Sequence, residues 1–166
     1  MVNSEVCIKK IESPIGEIFI KASPIGLEKV SFYAMDTFTS SSQNSREIAD
    51  ETGKQLLDYF EGKRKSFNLP LNLKGTEFQQ RVWNELINIP FGKTSSYLQL
   101  SKTIGDPKAI RAVGTANGAN PIAIIIPCHR VIGSDGSLTG YAGGIKKKRY
   151  LLDLEQENHQ LDLFES

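Results

Sequence analysis

Apolar and polar residues alternate in short runs over the first part of the chain, then recur at three- and four-residue spacing. The first pattern is that of strands and the second that of helices. Residues 5–11 and 16–22 read as strands, the second with Ile18 and Ile20 on one face. Ser13-Pro14-Ile15-Gly16 and Ser23-Pro24-Ile25-Gly26 supply turn chemistry after each. Residues 27–33 follow as a third strand, which predicts an antiparallel meander. The Ser/Thr-rich stretch 37–45 reads as a loop. Ile48, Leu56, Leu57 and Phe60 predict a helix over 46–61, stopped by Gly62. A strand at 67–69 is expected to rejoin the sheet, with 71–75 linking to the second half.

That second half is mostly helical. Thr76 and Gln79 form a capping box, and Phe78, Val82, Leu86 and Ile89 mark one helix face ending before Pro90. Trp83 is expected to pack in the core. Ser95 or Ser96 caps a second helix reaching about Ile104, with Leu98, Leu100 and Ile104 apolar. Gly105-Asp106-Pro107 then breaks and restarts the chain, Asp106 as cap and Pro107 at the first helical position. The third helix runs from Pro107 to about Gly118. Two helices joined by a tight turn containing glycine make a helix-turn-helix. The third helix is lined with Ala109, Ala112, Gly114, Ala116, Gly118 and Ala119, and Arg111 is the one long cation between these small positions. Small residues serve either helix packing or close approach to another surface. The β-branched run 122–126, between Pro121 and Pro127, predicts a buried strand that delivers Cys128 and His129 at its rigid end. Lys146 to Arg149 open a last helix, with Tyr150, Leu151, Leu152 and Leu154 packing inward. The expected class is α+β: a small antiparallel sheet with a helix over 1–74, then a mostly α domain with the helix-turn-helix over 75–166.

Composition narrows the function. A hydrophobic fraction of 39% and a charged fraction of 23% are those of a soluble globular protein. No apolar run approaches a membrane span, and Val2 to Lys10 lacks the apolar core of a signal peptide. The scattered Cys7, Cys128, His129 and His159 suit neither a disulfide framework nor a metal site, so a reducing cytosol is expected. Net charge is +1, which argues against a strongly basic nucleic-acid binder. The distribution is uneven. From Thr94 to Tyr150 stand eight basic residues against two acidic ones, Asp106 and Asp135. Such a basic stretch suits phosphate contact or a solvated face.

A lone buried cysteine is most often a small hydrophobe. Beside an imidazole it has a route to the thiolate, the nucleophilic form. Pro127-Cys-His-Arg-Val131 resembles the active-site signature of the O6-alkylguanine-DNA alkyltransferases. Arg111-Ala-Val-Gly114 and the glycine-rich Leu138 to Gly144 are similar to further motifs of that family. The resemblance covers nearly all of 75–166 and, more loosely, the residues before.

The resemblance implies a ribonuclease H-like N-terminal domain and a helix-turn-helix that docks in the minor groove. It implies irreversible transfer of an alkyl group from O6 of guanine to Cys128, one molecule consumed per lesion. His129 would be the base and Glu155 its orienter, with Tyr97 and Lys148 assisting departure of the guanine. Contacts to DNA would fall to Arg111, which takes the space of the flipped nucleotide, and to Ala112, Thr94, Ser95, Asn117 and Arg130. Tyr141, Val131, Ser134, Gly143 and Asn120 would shape the base pocket, Asn120 as a structural asparagine. Some relatives have serine where this chain has Ala142. No cofactor is implied; some relatives carry an N-terminal structural zinc, whose ligands are not evident in this chain, and no metal is expected. The expected partner is duplex DNA carrying O6-alkylguanine, with no membrane, for a monomer in the cytoplasm, or the nucleus of a eukaryote. O4-alkylthymine is left open as a substrate. The alternatives are a recognition-only protein of the same fold, which would lack the cysteine, a cysteine hydrolase, and a plain helix-turn-helix regulator.

Overall fold

The computed structural model describes residues 5–36 and 40–165. The chain divides into two compact units, Met1–Lys74 and Gly75–Ser166, and its class is α+β.

The first unit is a meander of β1 (Cys7–Ser13), β2 (Gly16–Ala22) and β3 (Leu27–Ser31), antiparallel in the order β1-β2-β3. Ile18, Ile20 and Ala22 alternate onto one buried face of β2, and Phe19, on the other face, is buried as well. Helix α1 (Gln43–Phe60) packs on the sheet through Ala49, Leu56 and Tyr59. Its approach is close: a Cβ at Gly53 would stand 3.3 Å from the Ile11 and Lys9 side chains. The helix starts earlier than the apolar spacing predicts. Ser42 and Ser45 form a reciprocal capping box that adds a polar first turn. The loop expected over 37–45 thus ends by Ser42, and residues 37–39 lie outside those described.

The strand expected at 67–69 does not form. The buried Gln55 side chain occupies both backbone groups of Asn68, accepting from its N–H at 2.9 Å and donating to its carbonyl at 3.1 Å. The chain rejoins the sheet further on, as a single parallel bridge between Leu71 and Leu27.

In the second unit, α2 (Glu77–Ile87) begins at the Thr76–Gln79 capping box. Val82, Trp83, Leu86 and Ile89 are buried, and Trp83 donates its indole N–H to the Ala116 carbonyl at 2.9 Å. Helix α3 (Tyr97–Ile104) is capped by Ser96 and closed by Gly105 at φ 100°, a left-handed turn that favours glycine. Helix α4 (Ile110–Gly118) begins later than expected. Asp106 accepts the Lys108 N–H on its side chain and the Ala109 N–H on its carbonyl, so a turn is completed before the helix starts. Helices α2, α3 and α4 pack on one another as the helix-turn-helix core.

Residues 122–126 are buried as expected but are not a strand. Ile126 N–H returns to the Ile122 carbonyl, and Ile124 sits at φ 72°. Asn120 enforces this coil, accepting the Ile122 N–H at 3.0 Å and donating to the Ile126 carbonyl at 2.8 Å. A side-chain amide that satisfies both ends of a short segment removes the need for a neighbouring strand. The coil runs into a 3-10 turn, Cys128–Arg130, then β5 (Val131–Ile132), which pairs in parallel with β4 (Ser95–Ser96). Helix α5 (Ile145–Glu165) completes the unit. Leu151 is fully buried on it, whereas Tyr150, expected inside, is 37% exposed.

Candidate active site

The 3-10 turn presents Cys128, His129 and Arg130, all buried, against α5 and the end of α2. From α5 come Glu155 and Lys148, also buried. His129 Nε2 lies 2.7 Å from Glu155 Oε2. With a neutral ring this contact places the proton on Nε2 and the lone pair on Nδ1. Nδ1 has no hydrogen-bond partner among the described residues.

Arg130 was expected on the DNA surface; the structure puts it inside. Its Nε donates to Glu155 Oε1 at 2.8 Å, its Nη2 to Oε2 at 3.0 Å and its Nη1 to the Ile89 carbonyl at 2.6 Å. A buried carboxylate needs a partner, and a guanidinium matches its two oxygens geometrically. Asn117, also expected at the DNA, is turned inward too. It is 3% exposed, and its amide points toward the Cys128 carbonyl at 3.5 Å.

The electrostatics follow from burial. Burial pushes the Cys128 thiol pKa up, against a hydrogen bond with Asn120 and the Lys148 charge, which lower it. Burial lowers the His129 pKa, aided by the charges of Arg130 and Lys148 and opposed by Glu155. The resting pair is therefore thiol and neutral imidazole. Glu155 does favour a charged imidazole, but burial, with the Arg130 and Lys148 charges, outweighs it and the ring rests neutral. Burial would raise the Glu155 pKa, but His129 and Arg130 together bring it down to about 2.

Two further groups converge nearby. Tyr97 OH and Lys148 Nζ donate to the same Thr139 carbonyl, at 3.1 and 2.9 Å. The Lys148 ammonium also stands 5.9 Å from the Tyr97 ring centroid, and burial lowers its pKa. The Tyr141 phenol is pushed well up by burial and by its closeness to Cys128. Thr139 was not foreseen. A backbone carbonyl carries no sequence signal, and only the fold shows what reaches it. Val131 is buried in the pairing with Ser95, while Ser134 is exposed and Gly143 partly so.

The remaining expected residues lie apart from this cluster. On α4, Arg111, Ala112, Thr115, Gly118 and Ala119 are exposed on one face, while Val113, Ala116 and Asn117 face the core. A Cβ at Gly118 would meet nothing within 4 Å. This exposed face is smooth apart from Arg111. Thr94, just before β4, is exposed as well.

The model of the 6-O-methylguanine DNA methyltransferase DNA-binding domain matches residues 77–157, and that of the ribonuclease-like domain of the same proteins matches 6–73. The chain belongs to the O6-methylguanine DNA methyltransferase family. The methylated-DNA–protein-cysteine methyltransferase of Methanosarcina barkeri is 48% identical, over 89% of this chain and 96% of that one. The crystal structure of the Mycobacterium tuberculosis O6-methylguanine methyltransferase is 43% identical, with a TM-score of 0.81 over 96% of this chain and 99% of that one. Mycobacterium tuberculosis OGT in complex with DNA gives 44% identity and a TM-score of 0.83, covering 91% of this chain and 93% of that one. Within this family, then, the first unit corresponds to the ribonuclease-like domain and the second to the DNA-binding one. No helix among the described residues is long and apolar enough to cross a membrane, and no three His, Cys, Asp or Glu side chains among them group to hold a metal ion.

Proposed function

We propose that this protein repairs DNA by moving the alkyl group of O6-alkylguanine in a duplex onto Cys128, once per molecule. The observation that carries the reading is the buried His129–Glu155 pair next to buried Cys128 in one 3-10 turn, with His129 Nδ1 lacking a hydrogen-bond partner among the described residues. The thiol proton passes to His129. Sulfur then forms a bond to the alkyl carbon as the bond from that carbon to guanine O6 breaks. The departing guanine takes up a proton, for which Tyr97 and Lys148 stand ready. The product is a thioether and an unmodified guanine. No group in the site can return a thioether to a thiol, so the reaction stops at one turnover.

Cys128 is only 7% exposed, so a stacked base cannot bring its alkyl group to the sulfur. The lesion has to leave the helix, and extrusion costs a few kcal/mol. The smooth exposed face of α4 suits a close approach to the groove floor, and Arg111 is the side chain long enough to fill the vacated space. Tyr141, Asn120, Val131, Ser134 and Gly143 are the proposed walls of the base pocket. The partner is duplex DNA carrying O6-alkylguanine. One copy of the chain supplies every residue in this scheme, so it acts as a monomer. A thiol that has to stay reduced suits the cytoplasm.

The test is stoichiometric. With excess duplex bearing O6-methylguanine, peptide mass spectrometry is expected to find one methyl on Cys128 and none on Cys7, and the DNA is expected to regain guanine. Cys128→Ser is expected to bind and transfer nothing, since a hydroxyl ionises far less readily. Turnover beyond one equivalent would sink the reading in favour of a hydrolase. Binding with no methyl on Cys128 would favour lesion recognition alone.

A further inference from the structure

The buried charge behind Cys128 exceeds what a nucleophile, a base and an orienting carboxylate require. We infer that Arg130 is a positioning residue for alkyl transfer: its guanidinium fork fixes the Glu155 carboxylate against His129 and balances that carboxylate's charge. The inference rests on the reading of His129 as the base for Cys128.

The geometry is that of a clamp with an anchored jaw. Glu155 Oε2 receives both His129 Nε2 and Arg130 Nη2, at 2.7 and 3.0 Å. Oε1 receives Arg130 Nε at 2.8 Å, with the Gly92 N–H at 3.4 Å. The third guanidinium nitrogen is tied to the Ile89 carbonyl at 2.6 Å, and the Phe91 ring centroid lies 5.8 Å from the guanidinium carbon. Gln156, the next residue of α5, donates to the Gly92 carbonyl at 2.6 Å. The turn after α2 thus holds the arginine, and the arginine holds the carboxylate plane. Rotating Glu155 would break three strong contacts together. The imidazole that shares Oε2 is aligned by the same constraint.

The charge balance matters as much. The charged groups that act on His129 are Glu155 and Lys148 from α5 and Arg130 from its own turn. Glu155 alone would draw a proton onto the ring, and a protonated ring cannot accept one from Cys128. With Arg130 in the fork the carboxylate is already matched, and burial keeps the ring neutral.

Arg130→Met and Arg130→Lys separate charge from geometry. Two measurements are made on each full-length protein: the ring titration of His129 by NMR, and the pH profile of methyl transfer from duplex DNA. Arg130→Met is expected to raise the His129 midpoint by about one pH unit. The acid limb of the profile is expected to move with it, a loss of about tenfold at pH values below both midpoints. Arg130→Lys keeps the charge and loses the fork. Its midpoint is expected to stay at the wild-type value while transfer slows by roughly the same factor at every pH. A wild-type midpoint and acid limb in Arg130→Met would overturn the charge role. Wild-type transfer by Arg130→Lys would overturn the positioning role, and this variant decides the matter should Arg130→Met fail to fold. The ring titration needs no methyl transfer. An unmodified Cys128 in the wild type would therefore defeat the proposed function and leave the titration to judge Arg130.

Discussion

Arg111 and Arg130 are the same residue in opposite situations. Arg111 stands on the exposed face of α4, among alanine, threonine and glycine. Arg130 is 6% exposed, and its Nε, Nη1 and Nη2 each donate a hydrogen bond. The exposed arginine contributes little to the fold and is available to a partner. The buried one is part of the fold and sets the state of the base beside it. The difference lies in what surrounds them: α4 offers Arg111 no carboxylate, whereas α5 places Glu155 against Arg130. Arginine count alone therefore overstates a nucleic-acid surface.

Removing the buried member is expected to have the largest effect. Arg130→Ala leaves Glu155 buried without its main cation, which typically costs about 3–5 kcal/mol. Chemical denaturation is the measurement. A loss under about 0.5 kcal/mol, the level of an ordinary surface change, would place Arg130 with Arg111.

Acid comes next. The Glu155 pKa falls from an unfolded value of about 4.3 to about 2 in the folded protein. A depressed carboxylate favours the folded state above the unfolded pKa, here by about 3 kcal/mol at most, and this is lost as pH falls toward about 2. His129 acts in the same direction from higher pH. Its pKa is lowered in the fold, so stability begins to fall once pH drops below about 6.5, where the unfolded ring takes a proton. Thermal melts across this range are expected to show a two-stage loss. Glu155→Gln is expected to lack the lower stage. An identical lower stage in that variant would assign it to other groups.

How much of this was legible in the sequence follows the same division between local and distant causes. Elements set by neighbours in the chain read well: the meander, the Thr76 capping box and the helix before Pro90. So did the family, because Pro127 to Val131 is contiguous. What failed depended on side-chain hydrogen bonds and ion pairs that composition and periodicity do not show. The run 122–126 looked like a strand by composition, and only the Asn120 amide makes it a coil. Residues 67–69 looked like a strand until Gln55 took the Asn68 backbone. Arg130 entered as a DNA contact through the resemblance, and its sequence neighbours give no sign of Glu155 behind it. Asn117 entered as a DNA contact only through the family resemblance, and the many small residues of its helix leave the buried side undefined by periodicity. In the site, Cys128 and His129 were legible as neighbours, and Glu155 entered only through the family resemblance.

The exposed arginine is expected to show its effect on DNA alone. Arg111→Ala should leave stability unchanged within about 0.5 kcal/mol. Repair of O6-methylguanine in a duplex should fall about 10- to 100-fold, because extrusion costs a few kcal/mol and the free base needs none. Reaction with free O6-alkylguanine should be unchanged. Equal losses on duplex and free base would remove Arg111 from base extrusion.

The smallest expected effect isolates an exposed polar group whose role is purely structural. Thr76 caps α2, accepting the Gln79 N–H at 3.1 Å, while the Gln79 side chain accepts the Thr76 N–H at 2.9 Å. Thr76→Ala removes one half of the box and leaves a helix-end N–H to water. The usual cost is about 1 kcal/mol. Helix α2 carries Trp83 and ends beside the Ile89 carbonyl that anchors Arg130. Between the lost cap and Ile89 the helix is held by Val82, Trp83 and Leu86 in the core. Thr76→Ala should therefore lower stability by that amount yet transfer methyl groups at the wild-type rate from both duplex and free base. The pattern is the inverse of that for Arg111→Ala, which spares stability and impairs duplex repair. A loss of duplex repair in Thr76→Ala would mean that the start of α2 is coupled to the site after all.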